Sequence, residues 1–262
     1  MFTPFEIETF AVSGLLKREN FLPAEKLRIA REVILQHLQR KGLWRDGAWH
    51  LDGWTQSTDY GTSMAIVKPL NRHQALIDLA SGELAAAASA LANGCPVFPM
   101  DQHPALLFTL PNSTQWSIPH KNWHLDMPRL PNRGVPGVQI FAFIETVEAG
   151  GGGTLAVTGS HLLHNEGVRI RSGDLRKKLK REPYFAELMS NNSDDRLHFL
   201  RDVGNVGDVA LQFVEMTGEA GDVYFMDLRV LHTVAANALK RPRLMLTQRY
   251  LLESSRIALY GK

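Results

Sequence analysis

The chain has 262 residues, of which 44% are hydrophobic and 21% are charged, a composition typical of a globular protein with a sizeable core. Its formal net charge of +2 is too small to indicate a nucleic-acid partner. The longest weakly polar run, residues 84–92, is too short to span a bilayer, so we expect no membrane partner.

Cysteine usage and the N-terminal residues bear on the cellular compartment. A single cysteine, Cys95, excludes an intrachain disulfide and fits a reducing cytosol. Because it precedes Pro96, we expect it to be a small buried hydrophobe. Residues 1–6 lack the basic region and apolar core of a signal peptide. We therefore expect a cytoplasmic protein, while nothing in the sequence indicates an oligomeric state.

Residues 1–94 are predicted to form a helical support. The first helix is predicted over Pro23 to Arg40, where apolar residues recur at helical spacing and Gly42 follows as a stop. A second is predicted over Asn71 to Ala92, ended by Asn93 and Gly94. The stretch between them, Leu43 to Tyr60, is predicted to be an irregular packed loop. It contains three tryptophans: Trp44, Trp49 and Trp54.

After Gly94 short apolar runs bounded by turn residues predict strands. These runs are Ala105 to Leu110, Val135 to Val147, Thr154 to Val157, Val206 to Met216, Asp222 to Leu228 and Arg243 to Leu251. Helices first and strands afterwards argue against a doubly wound parallel sheet and favour a β-sandwich or barrel-like roll. We predict one mainly β domain over residues 1–262, with a roll over 95–252 and helices packed on its outside.

The predicted strands are interrupted by a long connection, His161 to Asn205. It contains a basic run, Arg176 to Arg181, and a polar run, Asn191 to Asp195. A connection of this length inside a compact domain is usually a functional lid or a mobile segment. The basic run is either a solvated helix face or part of a lid whose cations meet an acidic group of a substrate.

Two residues near the middle of the chain are candidate metal ligands. If Asn122 to Asp126 is extended, His124 and Asp126 project to the same face, because alternate side chains of a strand share a face. A third ligand must come from far along the chain, and His232 is the candidate. Two histidines and one carboxylate on one face of an ion suit non-heme Fe(II) oxygenases.

The residues downstream add to this pattern. The segment Gly221 to Asp227 is predicted to be a turn feeding a strand that runs on to His232. Arg243 follows at the start of another apolar strand, and its planar fork of donors suits a carboxylate. Arg241 is a competing candidate for this role. Asp222 and Asp227 are predicted to be turn and capping groups.

Taken together, these residues resemble the phytanoyl-CoA dioxygenase family over roughly residues 105 to 252. The resemblance is carried by His124 with Asp126, by the segment Gly152 to His161, and by His232 with Asn237 and Arg243. It implies a double-stranded β-helix (a cupin-like jelly roll), iron held by His124, Asp126 and His232, and Arg243 paired with the distal carboxylate of 2-oxoglutarate. Two positions depart from the family pattern: Val234, where members often carry Ser, and Thr158, where they often carry Pro. Thr233 is a nearby source of a hydroxyl.

The resemblance implies an Fe(II)- and 2-oxoglutarate-dependent dioxygenase. Such an enzyme uses O2 to hydroxylate an unactivated C–H bond of a small molecule and releases succinate and CO2. Related halogenases have a small residue in place of the carboxylate, so Asp126 predicts oxygen insertion rather than chlorination. Desaturation or cyclisation would use the same residues. A metal-dependent hydrolase and a non-catalytic jelly-roll binding protein remain as alternatives.

Overall fold

The computed structural model describes residues 2–52, 59–131, 134–191 and 196–261. The helices in these ranges are α1 (Pro4–Ser13), α2 (Ala24–Arg40), α3 (Tyr60–Val67), α4 (Gln74–Ala80), α5 (Glu83–Leu91), α6 (Ser172–Leu179), α7 (Pro183–Leu188) and α8 (Glu253–Tyr260). The strands are β1 (Leu15–Arg18), β2 (Trp44–Arg45), β3 (Ala48–Trp49), β4 (Val97–Pro99), β5 (Ala105–Thr109), β6 (Gly137–Phe143), β7 (Thr154–Thr158), β8 (Gly204–Val206), β9 (Val209–Glu215), β10 (Val223–Asp227), β11 (Leu231–Val234) and β12 (Arg243–Leu252). Short 3-10 helices span Lys68–Arg72, Ser160–Leu162 and Leu197–Leu200.

Two antiparallel sheets form the body of the molecule. The larger sheet has the order β1-β10-β6-β12-β4, with β5 also paired to β12, and the smaller has the order β11-β7-β9-β8. Neighbours in both sheets are often far apart in sequence, so the chain passes repeatedly from one sheet to the other. The predicted mainly β jelly roll with flanking helices is confirmed.

Strand alternation separates the apolar side chains of the three largest of the four buried clusters in the described part of the chain. On β6, Phe141 and Phe143 point inward to meet the smaller sheet, whereas Ile140 and Ala142 point outward to the helices. The outward face of the larger sheet packs on α2, α4 and α5. The outward face of the smaller sheet is covered by residues of the long connection. The inner space between the sheets is therefore enclosed from both sides.

The N-terminal segment is less purely helical than predicted. Leu15–Arg18 forms β1, which pairs with β10 at the edge of the larger sheet. The single helix predicted over Asn71 to Ala92 is broken into α4 and α5, because Gly82 lies at φ 65°, outside the helical region. In the tryptophan-rich loop, Trp44 and Trp49 pair in a short hairpin with ring centroids 5.0 Å apart. Trp54 lies outside the described residues.

Three further sequence expectations need correction. The strand predicted over Val206 to Met216 is shorter, β9 over Val209–Glu215, because Val206 ends β8 and the chain turns at Gly207 with φ 57°. The strand predicted over Val135 to Val147 is shorter, covering Gly137–Phe143. Cys95 is exposed rather than buried, because it lies in the surface turn that follows Asn93 and Gly94, both at positive φ.

The long connection forms a packed layer rather than a structureless loop. Its helices α6 and α7 bury their apolar side chains on the outer face of the smaller sheet. The buried residues are Leu175, Leu179, Phe185 and Leu188. None of the described helices combines the length and apolar character needed to cross a bilayer.

Candidate metal centre

His124 and His232 meet through their backbones. The N–H of each donates to the carbonyl of the other, at 3.0 and 3.1 Å, which adds His124 as a single bridge residue at the edge beside β11. The two rings have centroids 4.2 Å apart. The extended run predicted over Asn122 to Asp126 is limited to this bridge, because Asn122 is left-handed at φ 65°.

The hydrogen bonds of both imidazoles leave the same ring nitrogen free. Nδ1 of His124 lies 2.9 Å from the Asn122 carbonyl oxygen, and Nδ1 of His232 lies 3.0 Å from that of Val230. A carbonyl accepts only, so Nδ1 carries the proton and Nε2 presents its lone pair. Burial lowers the pKa of His232, an effect that Asp126 opposes. Neutral imidazoles oriented by backbone carbonyls are in the form that binds metals.

Asp126 presents one oxygen to the histidines and gives the other to an arginine. Its Oδ1 accepts from Arg249 Nη1 at 3.0 Å. Its Oδ2 lies 3.4 Å from His232 Nε2 and has no hydrogen-bond partner among the described residues. Arg249 is held in turn by Asp101, through contacts of 2.8 and 2.9 Å. The carboxylate is thereby oriented with a free oxygen toward the imidazoles.

The three predicted ligands come together in space. One ligand atom each from His124, Asp126 and His232 lies within 4.8 Å of the others. Two imidazole nitrogens and one carboxylate oxygen on one side of a point, with Asp126 Oδ2 unpartnered, fit a divalent transition metal such as Fe(II).

The route by which the chain reaches His232 differs from the prediction. The predicted strand does not continue from Gly221 to His232, because β10 ends at Asp227 in the larger sheet and β11 belongs to the smaller one. In the turn between them, Asp227 accepts from the backbone and side chain of Arg229 at 2.7–2.9 Å. This turn moves the chain across the roll, so His232 faces the inner space from the smaller sheet.

A cavity of about 310 Å³, hereafter the metal cavity, contains the three ligands and Arg243. Arg243 is 1% exposed, and none of its guanidinium nitrogens has a hydrogen-bond partner among the described residues. Burial lowers the pKa of Arg243, and the neighbouring Tyr60 partly offsets this decrease. A buried cation of this kind requires an anion. Arg241, by contrast, is exposed and lies 3.7 Å from Glu148, so the competing candidate is outside the cavity.

The hydroxyl of Thr233 is also buried at the metal cavity without a partner among the described residues, next to Val234 in the cavity wall. Val234 is the position at which the sequence departs from the family pattern, where members often carry Ser. A hydroxyl is thus present one residue earlier than the family position.

A second buried arginine, Arg129, ties together the segments that carry the ligands. Its side chain donates to the carbonyls of Ser160, Leu163 and Arg229 at 2.8, 3.2 and 3.0 Å. These carbonyls belong to the turn after β7 and to the turn before β11. Sequence reasoning missed both Arg129 and Arg249, because their partners are distant in the chain. For Arg249 one signal was available: it lies six positions after Arg243 and so shares the same face of β12.

A family model described as phytanoyl-CoA dioxygenase (PhyH) matches residues 10–245. No curated protein sequence matches the chain.

Among solved structures, SnoK, a non-heme alpha ketoglutarate dependent carbocyclase from nogalamycin biosynthesis, is 17% identical with a TM-score of 0.57, covering 95% of this chain and 84% of its own. EctD from S. alaskensis with bound Fe is 14% identical with a TM-score of 0.56, covering 97% and 78%. AviO1 from Streptomyces viridochromogenes Tue57 is 20% identical with a TM-score of 0.52, covering 95% of both chains. At these identities the likeness shows the fold.

Proposed function

This chain belongs to the phytanoyl-CoA dioxygenase family, and on that premise we propose that it is an Fe(II)- and 2-oxoglutarate-dependent oxygenase of a small molecule. In this proposal His124, Asp126 and His232 hold the iron, and Arg243 pairs with the distal carboxylate of 2-oxoglutarate. The single observation that carries the proposal is an unpaired, buried Arg243 in the same cavity as a two-histidine, one-carboxylate cluster.

The residues of this chain bind and orient, and the bound groups supply the oxidation. When bound, Fe(II) and 2-oxoglutarate react with O2 to oxidise a C–H bond, with release of succinate and CO2. Asn122 and Val230 carbonyls fix the two imidazoles, and Arg249 fixes Asp126. The inner walls of both sheets bury His232 and Arg243, whereas the metal cavity is open to solvent at His124.

We propose hydroxylation as the outcome, because Asp126 would give the metal a carboxylate ligand, whereas related halogenases have a small residue there. The similar folds include SnoK, a carbocyclase, and SnoN, an epimerase, so related scaffolds support other oxidative outcomes. Product mass after turnover under ¹⁸O2 separates these outcomes. One added labelled oxygen is expected; chlorine, or loss of two hydrogens without a new oxygen, would contradict hydroxylation.

A metal hydrolase and a non-catalytic binding protein fit the same residues less well. A hydrolase would leave Arg243 buried with no anion to pair with, at a high cost in free energy. A binding protein without catalysis would not require three free ligand atoms together with that arginine.

Anaerobic reconstitution tests the proposal. The protein is loaded with Fe(II) and 2-oxoglutarate, its iron content is measured, and succinate is quantified after O2 is admitted. We expect one iron per chain and succinate production that depends on O2. His232→Ala should lose both, whereas His50→Ala, a histidine outside the cluster, should keep both. Full iron occupancy in His232→Ala would refute the ligand set.

A further inference from the structure

A second cavity, of about 320 Å³, adjoins the metal cavity, and Gln139 lines both. We call it the polar cavity. It is lined by Asp101, His103, Ala105, Gln139, Thr247, Gln248 and Arg249. Of these residues, Arg249 and Asp101 belong to the hydrogen bonds that orient Asp126, and the others have no part in holding the metal ligands.

The two cavities lie along one face of the larger sheet. On β12, Arg243, Thr247 and Arg249 share the inward face because they are separated by even numbers of residues. Gln139 on β6 lies directly opposite Arg249 in the strand register. The inner surface therefore runs from Arg243 past the metal ligands to Gln139 and the polar cavity, without leaving the roll.

The hydrogen bonds of Gln139 leave its carbonyl oxygen free. Its Nε2 donates to Thr247 Oγ1 at 3.1 Å, and that hydroxyl donates to the Ile140 carbonyl at 2.8 Å. Because the Thr247 proton is already used, the amide orientation is determined, with nitrogen toward Thr247. Its Oε1 has no hydrogen-bond partner among the described residues, although Gln139 is only 6% exposed. A buried acceptor without a donor is unfavourable until a ligand supplies one.

The rest of the polar cavity offers little to an alkyl chain. Ala105 is the one apolar side chain among the described lining residues. Nδ1 of His103 is a further buried polar atom with no partner among the described residues. The Asp101 carboxylate is bound to Arg249 but remains partly open to solvent, and it can accept further hydrogen bonds. An aliphatic substrate would desolvate these groups without replacing their hydrogen bonds.

We propose that the polar cavity receives the prime substrate, and that this substrate is a hydroxyl- or amino-bearing molecule such as a polyol or amino sugar, not an alkyl or acyl chain. A substrate hydroxyl or amine donates to Gln139 Oε1, at the junction of the two cavities. This contact holds the adjoining carbon toward the metal cavity, so the inference rests on the proposed oxygenase function.

Matched probes test the chemical class of the substrate. The protein is loaded anaerobically with Fe(II) and 2-oxoglutarate, and both are shown to be bound by iron content and by the visible absorption of the complex. The dissociation constants of myo-inositol and cyclohexanol, and of glucosamine and cyclohexylamine, are then measured from the change in that absorption. Within at least one pair, we expect the polar member to bind about tenfold or more tightly than its apolar partner, because a polar site rejects ligands that leave its groups unpaired.

Two variants connect the preference to Gln139. Gln139→Leu, of similar size, should lose the preference for the polar member by about tenfold while keeping iron and 2-oxoglutarate. Gln36→Leu, on the exposed face of α2, should behave as the wild type, and melting temperatures show that both variants fold. Equal or tighter binding of both apolar members, or an unchanged preference in Gln139→Leu, would overturn this proposal alone. Failure to bind iron or 2-oxoglutarate before any probe is added would overturn the proposed function, and this inference with it.

Discussion

At the residue scale, the candidate centre consists of polar groups left unpaired by the protein itself. Asp126 Oδ2 and the Arg243 guanidinium are both buried without hydrogen-bond partners among the described residues. Such groups are costly unless a ligand pairs with them. Their presence in one cavity points to a cation at one end and an anion at the other, which is the pairing that Fe(II) and 2-oxoglutarate provide.

Arg243→Ala should weaken 2-oxoglutarate binding strongly. Loss of a buried charge-assisted pair typically costs about 2–5 kcal/mol. The dissociation constant of 2-oxoglutarate should therefore rise more than about tenfold. Titration of the iron-loaded protein with 2-oxoglutarate measures it. Arg241→Ala, two residues away and exposed, is the matched control. If Arg241→Ala shows the larger loss, the wrong arginine has been assigned.

Arg249→Leu should weaken iron binding. Without the 3.0 Å hydrogen bond to Oδ1, Asp126 is no longer held toward the imidazoles. Loss of a group that orients a metal ligand typically costs about 10–100-fold in metal affinity. Chelator competition measures this affinity, and Arg249→Lys should recover part of it. Arg256→Leu removes an exposed arginine paired with Glu253 and should have no effect. An unchanged iron affinity in Arg249→Leu would show that Asp126 is oriented by other contacts.

At the scale of elements, the centre depends on how three segments are joined. His124 and Asp126 lie in a connection outside the strands, whereas His232 lies on β11 of the smaller sheet. Arg129 joins the connection to the turns on either side through three carbonyls. Burial and the nearby Arg229 lower the pKa of Arg129 to about 9, so its side chain remains charged at neutral pH and all its donors are available.

Arg129→Met should destabilise the protein and loosen the centre. The change leaves buried carbonyls without donors, which we expect to lower the free energy of unfolding by about 3 kcal/mol. Urea unfolding measures the loss, and iron affinity should fall with it. Arg201→Met, at an exposed position, should leave both unchanged. If Arg129→Met is destabilised but binds iron as tightly as the wild type, Arg129 contributes to folding and does not position the ligands.

The basic run of the long connection faces a cleft beside the metal cavity. This cleft, about 550 Å³, is lined by Lys121, Arg176, Lys177 and Lys180 among others, and shares Asn122 with the metal cavity. No acidic side chain lines it among the described residues. Lys178 lies outside the lining, 3.6 Å from Glu166. The hypothesis that cations of the basic run meet an acidic substrate group stays a prediction, restricted to the side of α6 that carries Arg176, Lys177 and Lys180. On that side Lys177 also lies 3.3 Å from Asp174.

Replacing Lys121, Lys177 and Lys180 with Gln should weaken binding of inorganic pyrophosphate, used as an anionic probe, by about tenfold at low salt. Calorimetric titration measures this, and iron and 2-oxoglutarate binding should be unaffected. Lys178→Gln removes one charge outside the cleft and should have little effect. Equal affinity of the wild type and the triple variant would favour a solvated helix face.

Proteolysis with and without a true substrate tests whether the connection closes as a lid.

At the scale of the whole molecule, ionisable groups are buried where α1, the turn after β7 and the end of β10 meet. His161 is 2% exposed there, with Nε2 3.0 Å from the Ala11 carbonyl oxygen. Burial lowers the pKa of His161; Arg229 and Arg129 lower it further, while Asp227 opposes them. His161 is therefore neutral in the folded protein and ties α1 to the roll.

Stability should decrease as the pH falls below about 6.5, the ordinary pKa of histidine. The unfolded chain takes up a proton at His161 at a higher pH than the folded protein does, so protonation favours unfolding. Urea midpoints at pH 7.5 and 5.5 measure the loss. His161→Gln keeps a donor for Ala11 and should show a smaller decrease. A pH dependence that is equal in both proteins would assign the effect to other groups.

The sequence by itself determined the fold class and indicated candidate ligands, because strand patterns and the His124–Asp126 spacing are local features. Short apolar runs bounded by turn residues predicted the roll, and the spacing of His124 and Asp126 predicted that these two candidate ligands share a face. Arg243 was predicted from its position at the start of a strand. The basic run was also evident in the sequence, but the sequence did not show which of its residues line the cleft and which, like Lys178, lie outside it.

Tertiary structure alone decided which polar groups are paired and which are left free. The hydrogen bonds of Arg249 with Asp126 and of Gln139 with Thr247 join residues more than 100 positions apart in the chain. The lack of hydrogen-bond partners for Arg243 and for Gln139 Oε1 among the described residues is likewise decided by what surrounds them in space. The same holds for the crossing from β10 to β11, which no periodicity marks, and for exposure of Cys95 in a turn. Hydrogen bonding and burial depend on which residues are neighbours in space. For these residues the local sequence does not predict those neighbours.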